Sequence, residues 1–152
     1  MRDIITFVII FGSLPFCFFR PWIGILVFSW ISYMNPHRFA WGPAYDFPFA
    51  KIIAIVTIIG LFFTKDRMPL PKVRETFLII LLGIYFTFTG FFAFNHISVW
   101  LQWEKVIKIL IMTLVTMILI NDRTKLKYLV MIIAFSIGFL GVKGGIFSLA
   151  TG

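Results

Sequence analysis

Cysteine occurs once in this sequence, at Cys17, and histidine only at His37 and His96. A single thiol excludes an internal disulfide, a Cys-x-x-Cys pair and any cysteine-based zinc site, and His96 has no second ligand at metal spacing. No metal and no cofactor is expected. Acidic residues are also few, six against 14 Lys and Arg. They form no carboxylate pair suited to glycoside hydrolysis, and none lies inside an apolar stretch to relay protons. A nucleophile elbow and a Gly-x-Gly-x-x-Gly loop are missing, and Gly138 to Gly145 lacks the spacing and Lys-Ser or Lys-Thr pair of a Walker loop.

What is present is hydrocarbon. Hydrophobic residues make up 61% of the chain and charged ones 13%, with twenty Phe and a mean hydropathy of +1.01. A soluble domain carries about 25% charged residues, so this chain lacks the polar surface to cover itself in water. The expected class is all-α, a polytopic transmembrane protein of about five to six hydrophobic helices. Helices are the open-chain way to satisfy backbone groups in lipid, and no strand-length alternation points to a barrel. The net charge of +8 fits basic loops beside a membrane lipid surface, not a nucleic-acid face.

Charged positions divide the chain into apolar segments 4–19, 22–34, 49–64, 76–94, 106–120 and 128–142, read together as one membrane domain over 1–152. Of these, 76–94 alone reaches the usual spanning length of about 18 or more; the others need interfacial Trp, Tyr and Lys to fill out a crossing. Lys65 to Glu75 carries four basic residues and Asn121 to Lys127 three, so both loops are predicted to be cytoplasmic. That places Asn35 to Pro48, Asn95 to Trp103 and Gly141 to Gly152 on the opposite side. Ile4 to Met34 would be about 46 Å as one helix, and Pro15 and Arg20-Pro21 interrupt it. It is read as two helical pieces whose sidedness stays open. The Met1-Arg2-Asp3 start before an apolar run has the outline of a signal sequence without a small-residue cleavage site, which makes it an uncleaved first segment.

Three stretches carry candidate chemistry. Asn35 to Pro48 combines His37, Arg38 and Asp46 with aromatics and prolines, a composition suited to a phosphate, carboxylate or sugar. The plain alternative is an interfacial aromatic belt with Arg38 paired to Asp46 or reaching lipid phosphate. In Asn95 to Lys108, Lys105 and Lys108 share a helix face, with Glu104 one turn before Lys108; buried, they would meet a pyrophosphate, and at headgroup level they would anchor the helix. In Gly138 to Gly145, glycines at 138, 141 and 144 allow either a turn presenting Lys143 to an anion or close helix packing.

Met1-Arg2-Asp3-Ile4, Phe11-Gly12-Ser13-Leu14-Pro15-Phe16, Arg20-Pro21-Trp22-Ile23-Gly24-Ile25-Leu26, Tyr33-Met34-Asn35-Pro36-His37-Arg38, Tyr45-Asp46-Phe47-Pro48-Phe49-Ala50 and Gly141-Val142-Lys143-Gly144-Gly145-Ile146-Phe147 run in order along essentially the whole chain. Together they resemble the start of the O-glycosylation ligases associated with the bacterial exosortase A system, within the O-antigen ligase and polymerase superfamily. The resemblance implies a multi-pass protein of the bacterial inner membrane. It further implies transfer of a glycan from a polyprenyl-diphosphate carrier to an acceptor outside that membrane, with no metal. Such displacement needs cations on the diphosphate and a base for the acceptor hydroxyl. In the superfamily the implicated Arg and His lie chiefly in a large outer loop in the later half. No established catalytic residue therefore carries over; Lys143, Arg38 and His37 are expected to line the outer-face substrate region. Family members are longer, so the expectation is an N-terminal membrane domain, inactive alone, that packs against the remaining helices of a full-length ligase. The competing expectation is a small non-enzymatic membrane scaffold or accessory protein. A transporter would need a polar lumen, and the uncharged segment interiors give it little support.

Overall fold

A computed structural model describes residues 2–36, 45, 47–93 and 96–151, and among them the fold is all-α, with six helices and no strand. These are α1 (Arg2–Phe19), α2 (Pro21–Met34), α3 (Phe49–Phe63), α4 (Arg74–Phe91), α5 (His96–Leu119) and α6 (Arg123–Thr151). They form two compact units, Met1–Asp66 with Ile120–Gly152, and Arg67–Leu119. Among the described residues two helices, α4 and α6, are long and apolar enough to cross a membrane; α1 from Ile4, α2 and α3 are apolar but shorter.

In the first unit a single residue reverses the chain. Arg20 leaves the helical region (φ −131°, ψ 79°), and Pro21 opens α2 where its missing N–H is no loss. The Arg20 N–H still bonds the Phe16 carbonyl at 2.9 Å, and the Arg20 carbonyl accepts from Ile23 N–H at 2.8 Å. The direction of each helix follows from its neighbours. Near the start of α1, Phe7 meets Phe49 at the start of α3 (ring centroids 5.1 Å apart), and near its end Phe18 meets Phe63 at 5.7 Å. These two helices run parallel. By contrast α2 runs against α3, because Pro21 approaches Gly60 while Gly24 approaches Thr57. Further along, Trp22 stacks on Tyr128 at 6.3 Å, and Trp30 and Met34 share a groove with Ile132 and Phe139. Thus α6 runs parallel to α2. Ile10, Cys17, Ile31, Phe49 and Ile53 are the buried centre of this unit.

Two glycines set how closely the helices approach. A Cβ on Gly60 would stand 2.6 Å from the Phe18 carbonyl oxygen and 3.0 Å from Pro21 Cγ, and a Cβ on Gly24 would overlap Thr57 Oγ1. Thr57 is fully buried, and its hydroxyl is the one buried side-chain polar atom without a partner among the described residues. Thr87, Thr113, Thr116 and Ser136 instead turn their hydroxyls back onto the carbonyl four residues earlier. Thr57 faces the bare backbone of Gly24.

The second unit is an antiparallel hairpin. Phe91 packs edge-on against Trp100 at 5.5 Å, Trp103 Nε1 donates to Thr87 Oγ1 at 2.9 Å, and Gly83 lies against Leu110 and Ile107. The Thr76 hydroxyl donates to the Pro71 carbonyl at 2.8 Å beside the start of α4, and Glu75 places a negative charge in its first turn, where the helix dipole favours it. Phe77, Phe88 and Phe92 are exposed here, as are Phe19, Phe62 and Phe63 in the first unit.

Several boundaries differ from the hydropathy segments. The fourth helix is Arg74–Phe91, not 76–94, and α5 starts at His96, not near 106, because Gln102, Glu104 and Lys105 are good helix formers whatever their polarity. Likewise α6 runs unbroken from Arg123 to Thr151, through the glycines where a turn at Lys143 was one of the two expectations. A helical glycine is penalised by only about 1 kcal/mol, and no proline removes a donor there. Pro15 also lies inside α1 without ending it; the Ser13 hydroxyl bonds the Ile10 carbonyl in the turn before it.

These contacts set opposite outcomes for glycine replacement. Gly60→Ala is expected to lower stability by about 1–3 kcal/mol through overpacking against backbone, whereas Gly138→Ala, with nothing within 4 Å of its Cβ, gains up to about 1 kcal/mol of helix propensity. Thermal unfolding of the detergent-purified variants measures both; equal melting of the two would contradict the close approach at Gly60.

Candidate functional site

At the end of the first unit where α1 turns into α2, three stretches distant in sequence meet at one ammonium. Lys125 Nζ donates to Asp66 Oδ2 at 2.7 Å and to Asn121 Oδ1 at 2.6 Å, and Asn121 Nδ2 donates to Asp66 Oδ1 at 3.0 Å. The same Nζ lies 6.0 Å from the centre of the Trp22 ring, whose other neighbour is Tyr128. Lys125 is 14% exposed at its side chain and Asp66 57%, so the cation is enclosed while its carboxylate faces outward. This triangle ties Asp66, three residues past the end of α3, to the first turn of α6. Hydrogen bonds from Lys125 and then Asn121 hold the Asp66 carboxyl below its usual value. The basic residues of the two loops predict one side for both, but contacts between positions 59 apart leave no local pattern by which the triangle could be found.

At the opposite end of this unit, α2 stops at Asn35, in the left-handed region (φ 47°, ψ 54°), with its N–H on the Ile31 carbonyl at 3.0 Å. An apolar groove of about 280 Å³ runs between α2 and α6 toward that end, lined by Trp30, Met34, Ile132, Phe135, Ser136 and Phe139. Its polar atoms are already engaged: Trp30 Nε1 donates to Met34 Sδ at 3.0 Å and the Ser136 hydroxyl to the Ile132 carbonyl at 2.6 Å. The groove suits hydrocarbon and offers no acid, base or nucleophile.

Lys143, the first of the expected substrate residues, lies in α6 one turn beyond Phe139, and the 3.6-residue period puts it on the face that carries Ile132 and Ser136. It therefore stands beyond the groove, at the end of the unit where α2 finishes. His37 and Arg38, the other two, follow Pro36 in sequence and lie outside the described residues, as does Asp46. In the second unit Glu104 and Lys108 form the expected i,i+4 pair. Of the two alternatives for Lys105 and Lys108, buried or at the surface, both side chains are exposed at the polar start of α5.

The depressed Asp66 carboxyl fixes the sign of a pH effect. A group whose pKa is lower in the folded state stabilises above the unfolded value, about 3.9, and that stabilisation is lost as pH falls through the folded value. The Asp66–Lys125 contribution is therefore expected to be constant from neutral pH to about pH 5 and to disappear only in stronger acid. Melting curves of the wild type and Asp66→Asn between these limits would converge at the acid end; a constant gap between them would show that the pairing contributes nothing pH-dependent.

The whole chain, residues 1–152, matches one protein-family model, described as a family of unknown function (DUF5935). No curated protein and no solved structure matches it. A match over the full length makes the chain a member of the DUF5935 family.

Proposed function

We propose that the chain is the N-terminal membrane domain of an O-antigen-ligase-like glycan transferase of the bacterial inner membrane. In this reading it helps move a glycan from a polyprenyl-diphosphate carrier to an acceptor outside that membrane. The observation that carries the proposal is the ordered series of blocks ending in Gly141-Val142-Lys143-Gly144-Gly145. The groove beside Lys143 supports it, since hydrocarbon followed by a cation matches an amphiphile with an anionic head.

All six helices act as spans in this proposal, including α1, α2 and α3, which thin the bilayer or draw on flanking interfacial residues to complete their crossings. Because α1 and α2 form a hairpin, the count of crossings becomes even. With the Lys125 end cytoplasmic, the N-terminus, Asn35 to Pro48 and Lys143 all fall on the outer side. The parallel courses of α1 with α3 and of α2 with α6 agree with that alternation. Lys143 and Arg38 would hold the carrier diphosphate and His37 would lie beside it, with acceptor activation supplied by the remaining helices of the full-length ligase.

Deleting the gene in its host is expected to make lipid-linked glycan accumulate, and Lys143→Ala or Arg38→Ala in the full-length protein to reduce glycan transfer at least about tenfold, the loss of one charged contact worth about 1.4 kcal/mol or more. Unchanged glycosylation after deletion would overturn the transferase assignment. Orientation has its own test: in a Cys17→Ser background, Lys65→Cys should be shielded from an impermeant thiol reagent in intact cells while Tyr45→Cys is labelled.

A further inference from the structure

Around the Lys125 triangle, Arg20, Lys65, Arg123 and Lys127 are all exposed. Among the described residues none of the four forms an ion pair. They come from three separate stretches, the α1–α2 turn, the residues after α3 and the start of α6, which converge through Phe18 on Phe63, Trp22 on Tyr128 and Asp66 on Lys125. The acids at this end are Asp66, already held by Lys125 and Asn121, and Asp122. The surface thus keeps an excess of positive charge. Beside it stand three large apolar side chains with almost no cover: Phe19 is 77% exposed, Phe62 71% and Phe63 73%. Phe19 adjoins Arg20, and Phe62 and Phe63 lie just before Lys65.

We infer that this end of the first unit is a docking surface for anionic glycerophospholipids, with the four cations on the headgroup phosphates and Phe19, Phe62 and Phe63 against the acyl chains. Cations alone would serve any phosphate; the adjoining phenylalanines select one attached to hydrocarbon. Trp22 and Tyr128 suit the headgroup level, where amphipathic rings are favoured. Lys125 does not contact lipid here but holds the three stretches together. This inference rests on the membrane reading and is independent of the transferase reading.

The test is retention of phosphatidylglycerol against phosphatidylcholine by the detergent-purified chain, read by native mass spectrometry. A basic residue near an anionic surface contributes roughly fivefold in affinity. Wild type should therefore retain phosphatidylglycerol at least about tenfold better, and the triple change Arg20→Gln, Arg123→Gln, Lys127→Gln should erase the preference. Equal retention of the two lipids by wild type, or an undiminished preference in the variant, overturns the inference. So does displacement of the lipid by soluble glycerol phosphate, which would show a site for free phosphate. Should the variant fail to fold, salt replaces it: raising NaCl from about 50 to about 500 mM shortens the screening length severalfold, and a preference that does not fall contradicts the headgroup contact. Recovery of the chain in the aqueous phase without detergent would instead sink the membrane reading itself.

Discussion

The first unit depends on the approach of α3 to the turn between α1 and α2. At Gly60 the α3 backbone lies against the carbonyls of Cys17 and Phe18 and the ring of Pro21, and at Gly24 the α2 backbone lies against Thr57. Side chains at either glycine would push α3 outward. The pairs Phe7 with Phe49 and Phe18 with Phe63 would then separate, and with them the buried group around Cys17 and Ile53. Under the proposed membrane reading small residues would matter all the more, because helices in lipid associate through close packing and not through escape from water. The buried hydroxyl of Thr57 belongs to the same contact. It forgoes the back-bond that Thr116 and Ser136 make and sits against the Gly24 backbone.

A second consequence of the turn is a division of labour between the ends of the unit. Where the chain reverses, polar and charged groups gather: an enclosed ammonium, its carboxylate and amide partners, and four outlying cations. Lys125 is satisfied there by Asp66, Asn121 and the face of Trp22, and partners of this kind are what make a nearly buried charge tolerable. Toward the other end the α2–α6 groove is apolar, its hydroxyl and indole N–H already bonded within their own helices. Along α6, charge returns at Lys143, one helical turn past Phe139. The unit thus has two chemically different surfaces, one rich in exposed cations and one an apolar groove.

Some features were legible in the chain because they depend on residues near one another. Composition and the absence of strand-like alternation led to an all-helical fold, the break at Arg20-Pro21 to two pieces before Asn35, and the Glu104 to Lys108 spacing to an ion pair. Boundaries were less legible. Hydropathy registers where apolar side chains end, whereas helices continue through polar formers such as Gln102 and Glu104 and through Gly141 and Gly144 until backbone bonding stops. Of the expected substrate residues, Lys143 could be placed on the groove-bearing face of α6 from helical period and neighbouring contacts, while His37 and Arg38 lie outside the described residues.

The apolar character of the surface and the helical content follow from the amino-acid sequence, because both depend on side-chain type and local backbone bonding. Folding in three dimensions brings α1 back along α2, lays α6 along α2, and joins Asp66 to Lys125 across 59 positions. The reason is geometric. A turn at Arg20 is encoded locally, but its angle is set by what packs into it, and here that is Gly60, forty residues further along the chain.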